Sequence, residues 1–248
     1  MLIVLPPSET KRHGGDGPAL DLGRLALPHL SDIRQGLLGE LTRLSADIPA
    51  SRHALKVGPR GDAEIARNAV LLSSPTLAAL DRYTGVLYDA LDAATLSPEA
   101  RAAAGRHVVI HSALFGLVAA LDPIPGYRLS HDSRLGTPAL PARWRGALTA
   151  ALAAHAGPIL DLRSEGYAAL GPRPDRPDSL ALKVVSPGPD GVVRALNHFN
   201  KKGKGLFTRA LLSAPAMPET VPELLDWAAE AGIALELDAE HRALVLTI

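Results

Sequence analysis

Ser8, Glu9 and Lys11 follow almost directly on four apolar residues, Leu2 to Leu5. A hydroxyl becomes a nucleophile when a base takes its proton, and a carboxylate or an amine can be that base. Tyr83 and Thr84, ahead of Gly85, supply two more hydroxyls. Ser8, Glu9, Lys11, Tyr83 and Thr84 are therefore the candidate acid–base or nucleophilic residues. The plain alternative for the first three is a capped, solvated loop.

A second group carries charge. Asn200-Lys-Lys-Gly-Lys-Gly-Leu-Phe-Thr-Arg209 packs Lys201, Lys202, Lys204 and Arg209 around two glycines. The segment is expected to join a strand to a helix that starts near Lys202. Glycines at a helix N-terminus expose backbone N–H groups, so this is a candidate phosphate cradle. The alternative is a solvated basic turn.

A third group lies near residues 50–70, where two short helices flank Gly58-Pro-Arg-Gly61. Lys56, Arg60 and Arg67 accompany a helix–hairpin–helix-like pattern, a shape that holds DNA backbones without reading bases. Helical hairpins are common, so the pattern is of limited specificity. His107 and His111 could bind a metal beside a carboxylate, but no H-E-x-x-H motif or third ligand accompanies them. Asp161, Ser164, Glu165 and Tyr167 offer further polar groups without a Gly-x-Ser-x-Gly elbow.

These residues need a scaffold. Leu2–Leu5 reads as a short buried strand that Pro6-Pro7 must end, and strand ends are where open sheets hold ligands. Helical periodicity runs from Ser31 to Ser45, and shorter helices are expected at 50–57, 62–71, 75–80 and 86–93. Ser97-Pro98-Glu99 opens another helix, with proline at its favoured first position. His107–His111 reads as a strand, and Ser112–Leu121 as a buried helix or a close-packed turn. Trp144–His155 is an amphipathic helix, Pro158–Leu162 a strand, and proline-rich Gly171–Asp178 a surface loop.

The last third is strand-rich. Leu180–Val185 and Val192–Phe199 flank a Pro-Gly-rich turn and form a hairpin. Helices at about 202–213 and 221–231 follow, then a hairpin of 233–237 and 244–248. Helices early and mixed strands at both ends indicate an α+β class: a single domain over 1–248, a mixed β-sheet flanked by helices. The N-terminal strand is expected to join the C-terminal ones.

Composition narrows the function classes. The 26 basic and 26 acidic residues balance, so any basic surface must be local. Aromatics are 4% of the chain, too few for base-stacking platforms of the single-strand-binding kind. Cysteine is absent, which removes disulfides, iron–sulfur clusters and a thiol nucleophile. No Walker sequence occurs. No cofactor, metal or membrane is expected, and the expected location is the cytoplasm.

The opening Leu5-Pro-Pro-Ser-Glu-Thr-Lys11 resembles the L-x-P-x-K-type start of the YaaA family of peroxide stress resistance proteins. Tyr83-Thr84-Gly85 with Tyr88, Leu114-Phe-Gly-Leu117 leading to Leu121-Asp122, and Tyr127-Arg128-Leu129 extend the likeness. Asp161-Leu-Arg-Ser-Glu-Gly-Tyr167 resembles the family's N-L-A-S-x-E-Y segment, and Lys201–Leu212 its K-K-A-R-G segment. Ala119-Ala120, Ser130 and Gly203-Lys204 depart from the family pattern.

The resemblance implies a YaaA-type fold, a helix–hairpin–helix element, a basic cleft, binding of double-stranded DNA and protection of DNA from oxidative damage. On that expectation Lys11, Lys56, Arg60, Arg128, Lys201, Lys202, Lys204 and Arg209 are the candidate phosphate contacts. An enzyme acting on a nucleotide or small anionic ligand through Ser8, Glu9 and Lys11 is the rival, because phosphate binding has no need of a Ser-Glu pair. An iron-binding buffer is the third and weakest.

Overall fold

Leu2–Leu5 forms the predicted first strand, β1, and Ile3, Val4 and Leu5 have no exposed surface. A strand apolar on both faces belongs in the middle of a sheet covered on both sides. The computed structural model, which describes residues 1–187, 193–194 and 197–248, places it there.

The remaining strands are β2 (Gly17–Ala19), β3 (Pro75–Ala78), β4 (Val108–Ser112), β5 (Gly116–Ala119) and β6 (Pro123–Ile124). After them come β7 (Ile159–Asp161), β8 (Ser179–Pro187), β9 (Val193–Arg194), β10 (Leu235–Asp238) and β11 (Ala243–Thr247). The main sheet runs β10-β11-β8-β7-β1-β4-β5, with β9 paired to β8. Its centre is parallel from β4 through β1, β7 and β8 to β11, and the end strands β5 and β10 are antiparallel. A small antiparallel sheet, β2-β3-β6, stands beside it.

The helices are α1 (Ser31–Leu44), α2 (Ile48–Leu55), α3 (Asp62–Asn68), α4 (Ala79–Arg82) and α5 (Val86–Leu91). They continue with α6 (Pro98–His107), α7 (Leu140–Ala153), α8 (Glu165–Ala168), α9 (Asn197–Leu212) and α10 (Val221–Glu230). The mixed sheet and helices make the expected α+β class, around one apolar cluster that extends from Ile3 to Leu246. The start of α6 is as the sequence predicts: Ser97 accepts the Ala100 amide and Pro98 takes the first position.

Some elements differ from expectation. Residues 75–80 are not one helix. Pro75–Ala78 pairs with β2 and β6, and Thr76 Oγ1 donates to the Pro18 carbonyl. Tertiary pairing overrides local propensity there. Of the two readings for Ser112–Leu121 the close-packed turn holds: the segment is a tight hairpin, with Gly116 at φ +67°. β1 shares a sheet with the C-terminal strands but reaches them only through β7 and β8.

The helix expected from Lys202 starts earlier, at Asn197. Phe199 is therefore helical, and the strand expected over 192–199 is present as Val193–Arg194. β8 and β9 do pair antiparallel, while the turn between them lies outside the described residues.

α9 lies against α5 at a place only glycine allows. A Cβ on Gly205 would run into the Leu87 carbonyl oxygen and come within 2.9 Å of the Ala90 Cβ. Backbone cannot give way as a flexible side chain does. Gly205→Ala is expected to lower the urea midpoint, despite the roughly 1 kcal/mol that alanine gains over glycine in a free helix. An unchanged or higher midpoint disproves this packing.

Candidate functional site

The C-terminal ends of β4, β1 and β7 lie side by side. β1 leads into Pro6–Lys11, β4 ends at His111 and Ser112, and β7 leads into Leu162 and Arg163. Ligands of open parallel sheets sit beyond such ends, where successive connections leave the sheet in different directions. Tyrosine occurs only four times in the chain, and Tyr83, Tyr88, Tyr127 and Tyr167 all come to this edge.

Lys11 is buried, although its sequence neighbours Glu9 and Thr10 are exposed. Its ammonium nitrogen donates to the main-chain carbonyls of Ser8 at 2.9 Å and Glu9 at 3.2 Å. It also stands 4.2 Å from the centre of the Tyr127 ring and 5.4 Å from that of Tyr83. Among the described residues no carboxylate is bonded to it. Burial, reinforced by the nearby Arg128 charge, brings its pKa down to about 7.

Tyr83 and Tyr127 join a directed chain of hydroxyls. Ser112 Oγ accepts the amides of Leu114 at 3.1 Å and Phe115 at 3.0 Å, which uses both its lone pairs. Its own proton then goes to the Tyr127 oxygen, 2.7 Å away. Tyr127 in turn donates to Tyr83 at 2.8 Å. The Tyr83 O–H is left as a donor at the end of the chain. Burial pushes both phenols well up, so they remain protonated donors.

Backbone pairing fixes Tyr83-Thr84-Gly85 against the first loop. Lys11 and Tyr83 form a bridge, the Thr84 amide donates to the Thr10 carbonyl, and Thr10 Oγ1 donates to the Thr84 carbonyl. Gly85 has φ +97°, and a Cβ there comes 3.3 Å from Ser8 Oγ. Ser8 Oγ shares a hydrogen bond with Thr10 Oγ1 at 3.2 Å, not with Glu9. The Ser8–Glu9 convergence that nucleophilic chemistry needs is thus absent. Tyr88 donates to the Pro6 carbonyl at 2.7 Å, tying α5 to the same loop.

Glu9 turns outward. Its side chain is 66% exposed, yet its carboxylate meets Arg128 Nη2 at 2.9 Å. Arg128 is also paired with Glu64 at 3.4 Å. The Asn68 side chain holds the Arg128 main chain, accepting its amide and donating to its carbonyl, each at 2.8 Å. Glu64 and Asn68 lie one turn apart on α3, so that helix positions Arg128 for the site. The Arg128 Nε is buried without an acceptor.

Behind this edge lies a second polar group. Arg163, fully buried, binds the Asp161 carboxylate through two nitrogens and the Gly171 carbonyl through a third. It also donates to His111 Nδ1 at 2.9 Å. Burial and that guanidinium hold His111 neutral, so its proton is on Nε2, which has no partner. Tyr167 places its ring edge-on to His111 at 5.5 Å and stacks on His131 at 4.9 Å. Lys204 is buried too, donating to the Leu162 carbonyl, and burial brings its pKa to about 8.

Placement of the cations corrects two expectations. Lys201 to Gly205 lie inside α9, whose first turn is earlier, so the segment is no N-terminal phosphate cradle. Lys204 and Arg209 point inward, Arg209 holding the carbonyls of Leu91 and Asp92 at the end of α5. Lys201, Lys202 and Arg60 are exposed. Near 50–70 the chain forms two short helices joined by a 3-10 turn at Pro59–Gly61, and Arg52–Asp62 and Lys56–Asp132 pairs absorb charge there.

His107 and His111 take different partners, His107 Nδ1 lying 3.0 Å from the Met1 carbonyl. A separate concavity of about 790 Å³ lies around Met1, His107, His155 and Met217, at the opposite end of β1. It contains none of the candidate catalytic residues. Ser112 and Arg163 had no place among the sequence candidates. A hydroxyl two residues past the apolar run Val108–Ile110, after His111, repeats the logic that singled out Ser8 and was the signal available for Ser112.

A family model described as "Peroxide stress protein YaaA" matches residues 1–231. A UPF0246 protein of Corynebacterium efficiens is 43% identical over 255 residues, covering 100% of this chain and 99% of its own. One from Streptomyces coelicolor is 40% identical over 244 residues, covering 96% and 93%. A more distant one from Burkholderia mallei is 27% identical over 264 residues, covering 97% and 95%.

Proposed function

The chain belongs to the family of the peroxide stress protein YaaA, and from that premise we propose that it acts through a small-ligand site at the end of β1. Lys11, Tyr83 and Arg128 bind a small anion there, a nucleotide or another phosphate or carboxylate, and Lys11 exchanges a proton with it. One observation carries this: a buried lysine bonded only to carbonyls and ring faces, beside a hydroxyl chain that ends in an unused donor. Groups tuned in this way by burial concentrate at sites of chemistry.

Thermal-shift measurement with nucleotides, inorganic phosphate and small carboxylates tests it. A ligand at a hundredfold excess over Kd adds about 2.7 kcal/mol, which raises the Tm of a chain this size by roughly 5–10 °C. Lys11→Met should lose that rise. Absence of any stabiliser at millimolar concentration overturns the site.

Duplex DNA is a second candidate partner, favoured by the exposure of Arg60, Lys201 and Lys202. Phosphate contact from these side chains accounts for non-specific binding and for shielding DNA from oxidants. Replacing all three with alanine should then weaken DNA binding and flatten its salt dependence by roughly one unit per lost contact. Unchanged binding across a salt series removes them from any DNA surface.

A further inference from the structure

Lys11 combines features that a structural lysine has no need of. A lysine kept for stability is best placed against an acid, because an unpaired buried ammonium is costly. Here the amine is instead held by the Ser8 and Glu9 carbonyls and faces the Tyr127 and Tyr83 rings. Those contacts fix the nitrogen without pairing its charge. Tyr83, on the same cage, carries the unused O–H of the hydroxyl chain. Arg128, whose charge acts on Lys11, pairs its terminal nitrogens with exposed Glu9 and with Glu64, and its buried Nε has no acceptor. A fixed amine, a proton donor and a partly unused guanidinium together match one ligand chemistry, a carbonyl group joined to an anionic group.

We propose that Lys11 forms an imine with a small carbonyl compound bearing a carboxylate or phosphate, the anionic group bound by Arg128. The inference rests on the small-ligand site and names its substrate class. The Nζ lone pair adds to the carbonyl carbon while the C=O π pair moves to oxygen. A proton passes from nitrogen to that oxygen, giving the carbinolamine. Tyr83 then protonates the hydroxyl, which leaves as water as the nitrogen lone pair forms the C=N bond. The nitrogen's remaining proton returns to Tyr83. One carbonyl and one amine become one imine and one water, and no redox partner is required. An amine with a pKa near 7 is about half unprotonated at neutral pH, whereas an ordinary lysine is unprotonated only to well under one part in a hundred.

Reductive trapping on the intact wild-type chain tests this. The protein is treated with glyoxylate or glyceraldehyde 3-phosphate and sodium cyanoborohydride at pH 7, with propanal as the uncharged control. Adducts are then mapped by peptide mass spectrometry. The expected result is labelling of Lys11 more than tenfold above Lys56, Lys183, Lys201 and Lys202, with little labelling of Lys11 by propanal. Arg128→Gln should remove the preference for the anionic probes. Labelling spread over the exposed lysines, or dominant on Lys204, overturns the imine. A nucleotide or anion that raises Tm without any Lys11 adduct rejects the imine alone. No Tm rise and no adduct reject the ligand site as well.

Discussion

Arg163→Ala is expected to cost 3–5 kcal/mol of stability, about the range for breaking a buried ion pair from one side. Arg163 has no exposed side-chain surface and holds both oxygens of Asp161, the Gly171 carbonyl and His111. Alanine leaves the Asp161 carboxylate buried with no cation bonded to it. In a chain this size that loss lowers Tm by roughly 6–20 °C. A double variant, Asp161→Asn with Arg163→Met, should lose less than the sum of its two single variants, because each single leaves a charge that the double removes. Urea denaturation of the three variants is the measurement. A loss under about 1 kcal/mol for Arg163→Ala contradicts the buried pair.

Lys11→Met should flatten the dependence of stability on pH. Burial lowers the folded-state pKa of Lys11 from 10.5 to about 7. Between those values the unfolded chain binds the proton and the folded chain does not. The slope of unfolding free energy with pH is then positive, and stability rises with pH across that window. Below about pH 7 both states are protonated and the cost of burying the ammonium is fully present. The contribution of Lys11 to the slope has a ceiling of about 1.4 kcal/mol per pH unit. Denaturation midpoints of wild type and Lys11→Met at pH 6 and pH 9 should diverge in the wild type's favour as pH rises. Loss of the two carbonyl hydrogen bonds shifts both points together and leaves this difference intact. Parallel midpoints show that Lys11 keeps an ordinary pKa.

Much of the site was written in the sequence. Leu2–Leu5 has no polar face, so it had to be central, and Pro6-Pro7 had to end it. The polar cluster therefore had to stand at a sheet edge. Tyr83-Thr84-Gly85 was legible as a partner segment, and Gly85 now has a reason in its positive φ against Ser8 and Thr10. The basic segment at 200–209 misled, because glycines at Gly203 and Gly205 suggested a turn. Both are helical and buried, and a Cβ on Gly205 meets the Leu87 carbonyl. Close helix packing and a turn leave the same glycine signature in a single sequence.

The sequence alone determined the chemical types present: one lysine beside Ser8 and Glu9, four tyrosines, no cysteine and no net charge. It also placed β1 in the core, since apolar periodicity is a local property. Only the tertiary structure decided which charges face water. Lys11 and Lys204 were indistinguishable from Lys201 and Lys202 as letters, but the first two are buried against carbonyls and the last two are exposed. Burial depends on parallel strands and helices brought together from distant parts of the chain. The same long-range pairing set Tyr127 beside Tyr83 and Ser112, and so turned separate hydroxyls into one donor chain.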